Sequence, residues 1–327
     1  MDSSVTLADI QDASRRIRGV AYRTPLYLCP RLSTLIEADI YLKLESFQPI
    51  RVFKIRGATN KILKLSVEER KRGLVAASSG NHGLAVAYVA KLVGSKATVV
   101  VPTSAVEEKV RAIEEYGAQV IQHGLFHDER LEKAMEIQKE TSAIFVHPFD
   151  DTSIIAGQGT IGLEIIEDLP DVDTVIVPVG GGGLISGIAI AIKNMKPSTR
   201  MIGVEPERAS SMFQSIRTGR ITRLSDTRSI ADGLATREPG ALTFNIAKRN
   251  VDEILLVTED EIEKAVFTIF RECHLVVEPS AAAVVAAMFK MKLKKGEKLA
   301  AVISGGNVSM KFLLKTLEKY SKSSPRL

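Results

Sequence analysis

Short apolar, β-branched runs alternate with longer helical stretches along most of this chain, the pattern of parallel sheets covered by helices on both faces. Two such units are predicted. In the first, from about Gly73 to Phe149, strands fall at Leu74–Ala77, Ala97–Val101, Gln119–Gln122 and Ile144–His147. Helices Gly83–Val93 and Val106–Tyr116 lie between them, and each stops at a glycine, Gly94 or Gly117, where a left-handed cap is needed. The second unit has strands at Thr174–Val179, Met201–Glu205, Glu253–Val257 and Leu299–Ser304, with helices that include Ser186–Asn194, Glu259–Arg271 and Pro279–Met291. Residues ahead of Lys54 are expected to fold back onto this second unit, and a polar tail follows Lys319. No repeat, low-complexity tract or long linker interrupts the pattern. The fold class is therefore α/β: two open parallel-sheet domains with helices on both faces, and a cleft between them.

Composition sets limits on this picture without redirecting it. A chain of 327 residues, 45% of them hydrophobic, can bury one large core or two moderate ones. Met1 to Gln11 carries acids and hydroxyls where a secretory signal needs a basic start and an apolar run, and no stretch reaches membrane-spanning length. The two cysteines, Cys29 and Cys273, are too few for a disulfide framework and lack metal-ligand spacing, so a reducing cytoplasm is the natural setting. The 44 basic residues outnumber 39 acidic ones only slightly. Their one cluster, at Lys290, Lys292, Lys294, Lys295 and Lys298, reads as a solvated helix end, since nucleic-acid binding would need a broader basic face.

Four segments carry candidate chemistry. Lys54 lies between Phe53 and Ile55, neighbours that can desolvate an amine and lower its pKa toward the neutral form a Schiff base requires; standing alone, it would be an ordinary surface lysine. The run Gly180, Gly181, Gly182, Gly183 follows an apolar strand and precedes a helix starting near Leu184, so backbone N–H groups converge where the helix dipole is positive. That favours a phosphate, although a tight packing turn would use the same residues. A dinucleotide site is disfavoured, because the position that should close G-x-G-x-x-G is Ile185 or Ser186. Ser78-Ser79-Gly80-Asn81-His82-Gly83 also joins a strand to a helix, and offers either a carboxylate cradle or plain helix capping. Ser304-Gly305-Gly306-Asn307 closes another apolar strand at its carboxyl end, where ligands collect in such sheets.

With these residues in view, the chain resembles the fold-type II pyridoxal-phosphate enzymes, similar in architecture to the tryptophan synthase β chain, in the group of threonine/serine dehydratases and serine racemase. The resemblance covers nearly the whole length. It rests on Phe53-Lys54-Ile55-Arg56-Gly57-Ala58, Ser78 to Gly83, Ile155-Ala156-Gly157-Gln158-Gly159-Thr160, the four glycines, Ala231-Asp232-Gly233, Glu278-Pro279-Ser280-Ala281 and Ser304 to Val308. It implies a large cofactor domain of residues 1–67 and 151–327 and a small substrate-loop domain of residues 68–150. It implies that Lys54 holds pyridoxal 5'-phosphate as an internal aldimine between Phe53 and Gly233. Asn81 then meets the ring hydroxyl, Gly180 to Leu184 bind the phosphate, and Ser304 bonds the pyridine nitrogen. Ser78, Ser79, Asn81 and His82 would receive the substrate carboxylate.

The chemistry implied is β-elimination from a small hydroxy amino acid, L-threonine or L-serine, to a 2-oxo acid and ammonia. Lys54 serves as the base for the α-proton, and a serine at the ring nitrogen does not enforce its protonation, which favours expelling the β-hydroxyl. Ser79 stands where, by the resemblance, serine racemase has a serine and many threonine dehydratases an alanine, so racemisation of serine or hydroxyaspartate chemistry is the alternative. A cofactor-binding protein without turnover is the alternative of another class. The divalent magnesium or calcium site of the racemases would map onto Glu205, Ala209 and Ser211, where Ser211 replaces an aspartate and weakens it. His123 and His127 have helical metal spacing but straddle Gly124, and no metal is expected there. Leu84 replaces a common glutamine. Because the last motif ends at Val308, no appended regulatory domain is expected; a homodimer is.

Overall fold

The computed structural model describes residues 5–78, 80–105, 107–124 and 127–322, with the side chains of His127 and Asp128 outside that description. Among the described residues, ten strands form two sheets: β1 (Leu26–Leu28), β2 (Asp39–Leu44), β3 (Leu74–Ala77), β4 (Ala97–Val101), β5 (Gln119–Gln122), β6 (Ile144–Phe145), β7 (Thr174–Pro178), β8 (Arg200–Pro206), β9 (Glu253–Val257) and β10 (Lys298–Ile303). The larger sheet runs β1-β2-β10-β7-β8-β9, the smaller β5-β4-β3-β6. All pairings are parallel except β1 with β2, an antiparallel edge.

The sequence pattern finds the strands of both sheets to within a residue or two, but leaves β1 and β2 as an undivided stretch folding back. They join the larger sheet through β2 on β10, in register from Lys298 against Asp39 to Ile303 against Leu44. The expected strand Ile144–His147 stops at Phe145 because the His147 Nδ1 accepts from the N–H of Phe149 (3.2 Å) and of Asp150 (2.7 Å), turning the chain. The helix expected over Gly83–Val93 runs Asn81–Leu92, and Gly94 takes a φ of +66° just past its end. Val106, the expected start of the next helix, lies outside the described residues; that helix runs Glu107–Glu114. The chain past Lys319 continues a helix, Met310–Ser321.

Strand alternation separates the two faces of the larger sheet. Leu299, Ala301 and Ile303 of β10 face a core shared with helices Glu259–Cys273 and Pro279–Met288, while Ala300 and Val302 face helix Gly183–Met195 and the buried helix Thr152–Asp168. The motif Gly157-Gln158-Gly159 lies on Thr152–Asp168 and allows three helices to meet. A Cβ at Gly157 would stand 2.6 Å from the Gly57 Cα, and one at Gly187 would stand 2.5 Å from the Gly159 N. Thus the helix that begins at Lys54 and the helix that follows the four glycines both rest on one central element.

Candidate active site

The site forms where loops leave the carboxyl ends of adjacent strands. β10 ends at Ile303 and β7 at Pro178, so Ser304 and the four glycines start side by side. The segment after β2 is tied to them: the N–H of Phe53 donates to the Ser304 carbonyl at 3.0 Å, and Val52 bridges Gly305. That fixes Lys54 at the first turn of helix Lys54–Lys64. Gly233 closes the other side, its N–H donating to the Ser280 Oγ at 3.1 Å, with its carbonyl 3.1 Å from where a Gly180 Cβ would lie. Phe53, Lys54, Asn81, Gly180 to Leu184, Gly233 and Ser304 line one cavity, which is the set of cofactor residues expected from the sequence.

The glycines are required by space. A Cβ at Gly181 would come within 2.3 Å of the Phe149 ring, at Gly182 within 2.6 Å of Met212, and at Gly183 within 2.9 Å of the Phe149 carbonyl. Gly182 also has a φ of +93°, in the left-handed region. No side chain caps helix Gly183–Met195, so its first N–H groups remain to bind an anion. The cavity therefore fits a phosphate-bearing ring.

The Lys54 Nζ donates to the Pro148 carbonyl at 2.7 Å and lies 5.1 Å from the centre of the Phe53 ring. Burial holds its pKa down to about 8, with the Glu278 carboxylate pulling partly the other way. The turn that presents Pro148 is organised by His147, whose pKa burial pushes down to about 4, so a neutral ring accepts the two N–H groups described above. Asp150, in the same turn, accepts from the N–H groups of Ala241, Leu242 and Thr243, and the Thr243 Oγ1 donates to the Gly181 carbonyl at 2.7 Å. Lysine anchor and glycine loop thus share one scaffold.

The Ser78–Gly83 loop reaches the same cavity from β3. Ser78 is largely engaged in shaping it, its Oγ accepting from the N–H of Gly80 (3.1 Å) and of Gly83 (2.9 Å). The His82 Nε2 donates to the Val146 carbonyl at 2.8 Å, and the ring is buried. Asn81 is oriented from both ends: its Oδ1 accepts from the Asn307 Nδ2 at 2.9 Å, and its Nδ2 donates to both oxygens of Glu278 at 3.0 and 2.9 Å. Ser79 lies outside the described residues.

Sequence reasoning names the stretch Glu278-Pro279-Ser280-Ala281 but gives Glu278 no role, and it passes over His147 and Phe149. Glu278 is 3% exposed, and its carboxyl is pushed up to about 7 by burial, with Asp232 adding to the rise and Asn81, Lys109 and Lys54 opposing it. Its place in the cavity depends on Gly305, where a Cβ would come within 2.7 Å of its Oε1. No local pattern marks such a residue, because its partners lie far away in sequence.

Arg56, two residues past the lysine, is 1% exposed and joins two carboxylates. Its Nε and NH2 donate to Glu45 at 2.8 Å each, and its NH1 and NH2 to Glu164 at 2.6 and 2.9 Å. Lys43 adds a second cation, 2.6 Å from Glu164. This network locks the lysine-bearing helix to β2 and to helix Thr152–Asp168.

At Glu205 both carboxylate oxygens accept backbone N–H groups, of Met212 at 2.9 Å and Phe213 at 2.8 Å, and burial pushes its pKa up to about 8. Among the described residues no three His, Cys, Asp or Glu side chains cluster as metal ligands. The side chain of His127, paired with His123 in the sequence reading, lies outside the description.

Comparison with known proteins agrees with this geometry. The family described as "Pyridoxal-phosphate dependent enzyme" matches residues 17–305. An L-threonine ammonia-lyase of Thermotoga maritima is 48% identical over 315 residues, covering 96% of this chain and 79% of that protein. The catabolic L-threonine dehydratase TdcB of Escherichia coli K12 is 41% identical over 312 residues, 94% of this chain and 95% of that protein. The structure of maize serine racemase superposes with a TM-score of 0.91 at 36% identity, covering 98% of each chain.

Proposed function

Because this chain belongs to the pyridoxal-phosphate dependent enzymes, we infer that it is an L-threonine ammonia-lyase that also accepts L-serine, converting each to a 2-oxo acid and ammonia. The observation that carries the reading is the placing of Lys54, Asn81 and the four glycines around a single cavity. Bound there, pyridoxal 5'-phosphate supplies an aldehyde for the substrate amine and a ring that accepts electrons from the α-carbon.

The chain's own residues supply the rest. We assign the phosphate to the N–H groups of Gly180 to Leu184, the ring faces to Phe53 and Gly233, the ring hydroxyl to Asn81, and the ring nitrogen to Ser304. The Lys54 amine, with a pKa near 8, takes up and returns a proton close to neutral pH, as a general base must. Ser78, Ser79, Asn81 and His82 are assigned to the substrate carboxylate, with the Asn81 amide held in one orientation by Asn307 and Glu278. A Ser79 hydroxyl that returned a proton to the α-carbon would yield D-serine as a minor product; this role is lost if Ser79→Ala leaves D-serine formation unchanged.

Residues 1–67 with 151–327 are taken as the cofactor domain and 68–150 as the substrate-loop domain, a division supported by the two separate sheets. No divalent cation is assigned at Glu205: its oxygens are already engaged, and Ala209 and Ser211 add no carboxylate. No helix among the described residues is long and apolar enough to cross a membrane. A cytoplasmic homodimer is the expected form; sedimentation of the purified protein tests the dimer. The function itself is tested by following 2-oxo acid and ammonia from L-threonine and L-serine.

A further inference from the structure

The two cysteines of the chain stand 244 positions apart, yet their Sγ atoms approach to 2.9 Å. Both are free thiols. Cys29 is buried between β1 and the helix Pro30–Ile36, its N–H donating to the Ile40 carbonyl of β2. Cys273 is the last residue of helix Glu259–Cys273 and is partly exposed. A second contact holds the same two elements together, the Arg31 Nε donating to Glu272 at 3.1 Å.

We propose that Cys29 and Cys273 are a thiol-redox site that closes reversibly into an intramolecular disulfide, fastening the β1–β2 edge to helix Glu259–Cys273. Meeting of two thiols drawn from opposite ends of a chain is a tertiary arrangement that spacing cannot reveal, and here it uses every cysteine present. The sulfurs need to close by under ~1 Å to reach the bonding distance of about 2.05 Å. The proposal does not rest on the reaction assigned above.

The chemistry at the pair favours reaction. Donation from the Cys273 S–H lowers the Cys29 pKa to about 7, and the N–H groups of Leu32 and Arg31 help, while burial and Glu272 oppose. Losing a second proton from the pair is correspondingly harder, so one thiolate faces one thiol. A small hydroperoxide is the oxidant. The thiolate sulfur attacks its O–O bond, forming an S–O bond and releasing hydroxide or alkoxide. The neighbouring thiol then attacks that sulfur, the S–S bond forms, and the oxygen leaves as water. Two thiols and one hydroperoxide give one disulfide, one alcohol or water, and one water. An external dithiol reverses the step by exchange.

The test uses the full-length holoenzyme, treated with hydrogen peroxide, alkylated with N-ethylmaleimide under denaturation, and weighed intact. The expected result is no maleimide added, a mass two hydrogens lower, a linked peptide pair containing Cys29 and Cys273, and recovery of two thiols after dithiothreitol. Closing so long a loop should raise Tm by roughly 5 °C, reversibly. Cys273→Ser, at the partly exposed position, and Cys29→Ala should each abolish the dithiothreitol-reversible shift. Two maleimides after peroxide treatment, oxygen addition without linkage, or a reversible shift surviving in either variant would overturn the assignment.

Discussion

Asn81 and Glu278, 197 positions apart in sequence, meet in the cavity through two hydrogen bonds of 2.9 and 3.0 Å from one amide nitrogen to both carboxyl oxygens. The contact joins the loop from the smaller sheet to the N-terminus of helix Pro279–Met288, which lies in the crossover between β9 and β10. It also places a titrating acid beside the lysine.

That acid should leave a mark on stability. Glu278 binds its proton up to about pH 7 when folded but only to its ordinary 4.5 when unfolded, so the stability it contributes is full below 4.5 and is lost as pH rises through 7. Glu205 acts in the same sense up to about 8. His147 acts oppositely, between about 4 and 6.5. Tm of the wild type should therefore fall from pH 6.5 to about 7, where Glu278 and Glu205 act together, and Glu278→Gln should flatten part of that fall. At higher pH the Cys29 thiol, whose folded pKa of about 7 lies below its ordinary 9.0, offsets Glu205. An identical slope in the variant refutes the buried titration.

Arg56→Met should be among the most damaging substitutions away from the cofactor. It leaves Glu45 and Glu164 facing each other with only Lys43 between them, and breaking such a buried pair costs ~3–5 kcal/mol. Urea unfolding of the apo-protein measures this. A loss below about 1 kcal/mol would mean that the network does not anchor the lysine helix.

Gly181→Ala should weaken the cofactor more than the fold. Its Cβ would overlap the Phe149 ring, so the loop must shift by enough to spoil converging N–H groups. Titration of apo-protein with pyridoxal phosphate, read by fluorescence, should give at least ~10-fold weaker binding, or about 1.4 kcal/mol. Unchanged affinity would remove the phosphate assignment from this loop.

Magnesium or calcium should leave Tm within about 1 °C of the EDTA-treated protein, since a ligand stabilises only what it binds. Ser211→Asp should create a dependence, because the buried Ser211 Oγ has no partner and a carboxylate there would need a cation beside Glu205. A strong cation effect on the wild type contradicts the account.

Much of this was legible in the sequence because it is local. Strand, glycine loop and helix follow one another along the chain, so β3, β4, β5, β9 and the cofactor loop could be placed to the residue or nearly so. The edge strands β1 and β2 were not, since only their pairing with β10 distinguishes them from a fold-back. Likewise Glu278, His147 and the Cys29–Cys273 contact derive their meaning from partners on other elements. Helix Thr152–Asp168 illustrates the same limit: the sequence marks a motif on it, while its role as a hub of glycine contacts exists only in three dimensions.

The most direct test compares wild type and Lys54→Ala, each supplied with pyridoxal phosphate, by measuring 2-oxo acid released from L-threonine and L-serine alongside the visible absorbance of the bound cofactor. Wild type should be coloured and release oxo acid from both; the variant should lose the lysine-bound absorbance and essentially all turnover. Oxo-acid release that survives in Lys54→Ala, or a wild type that binds cofactor but acts on neither amino acid, would contradict the central claim.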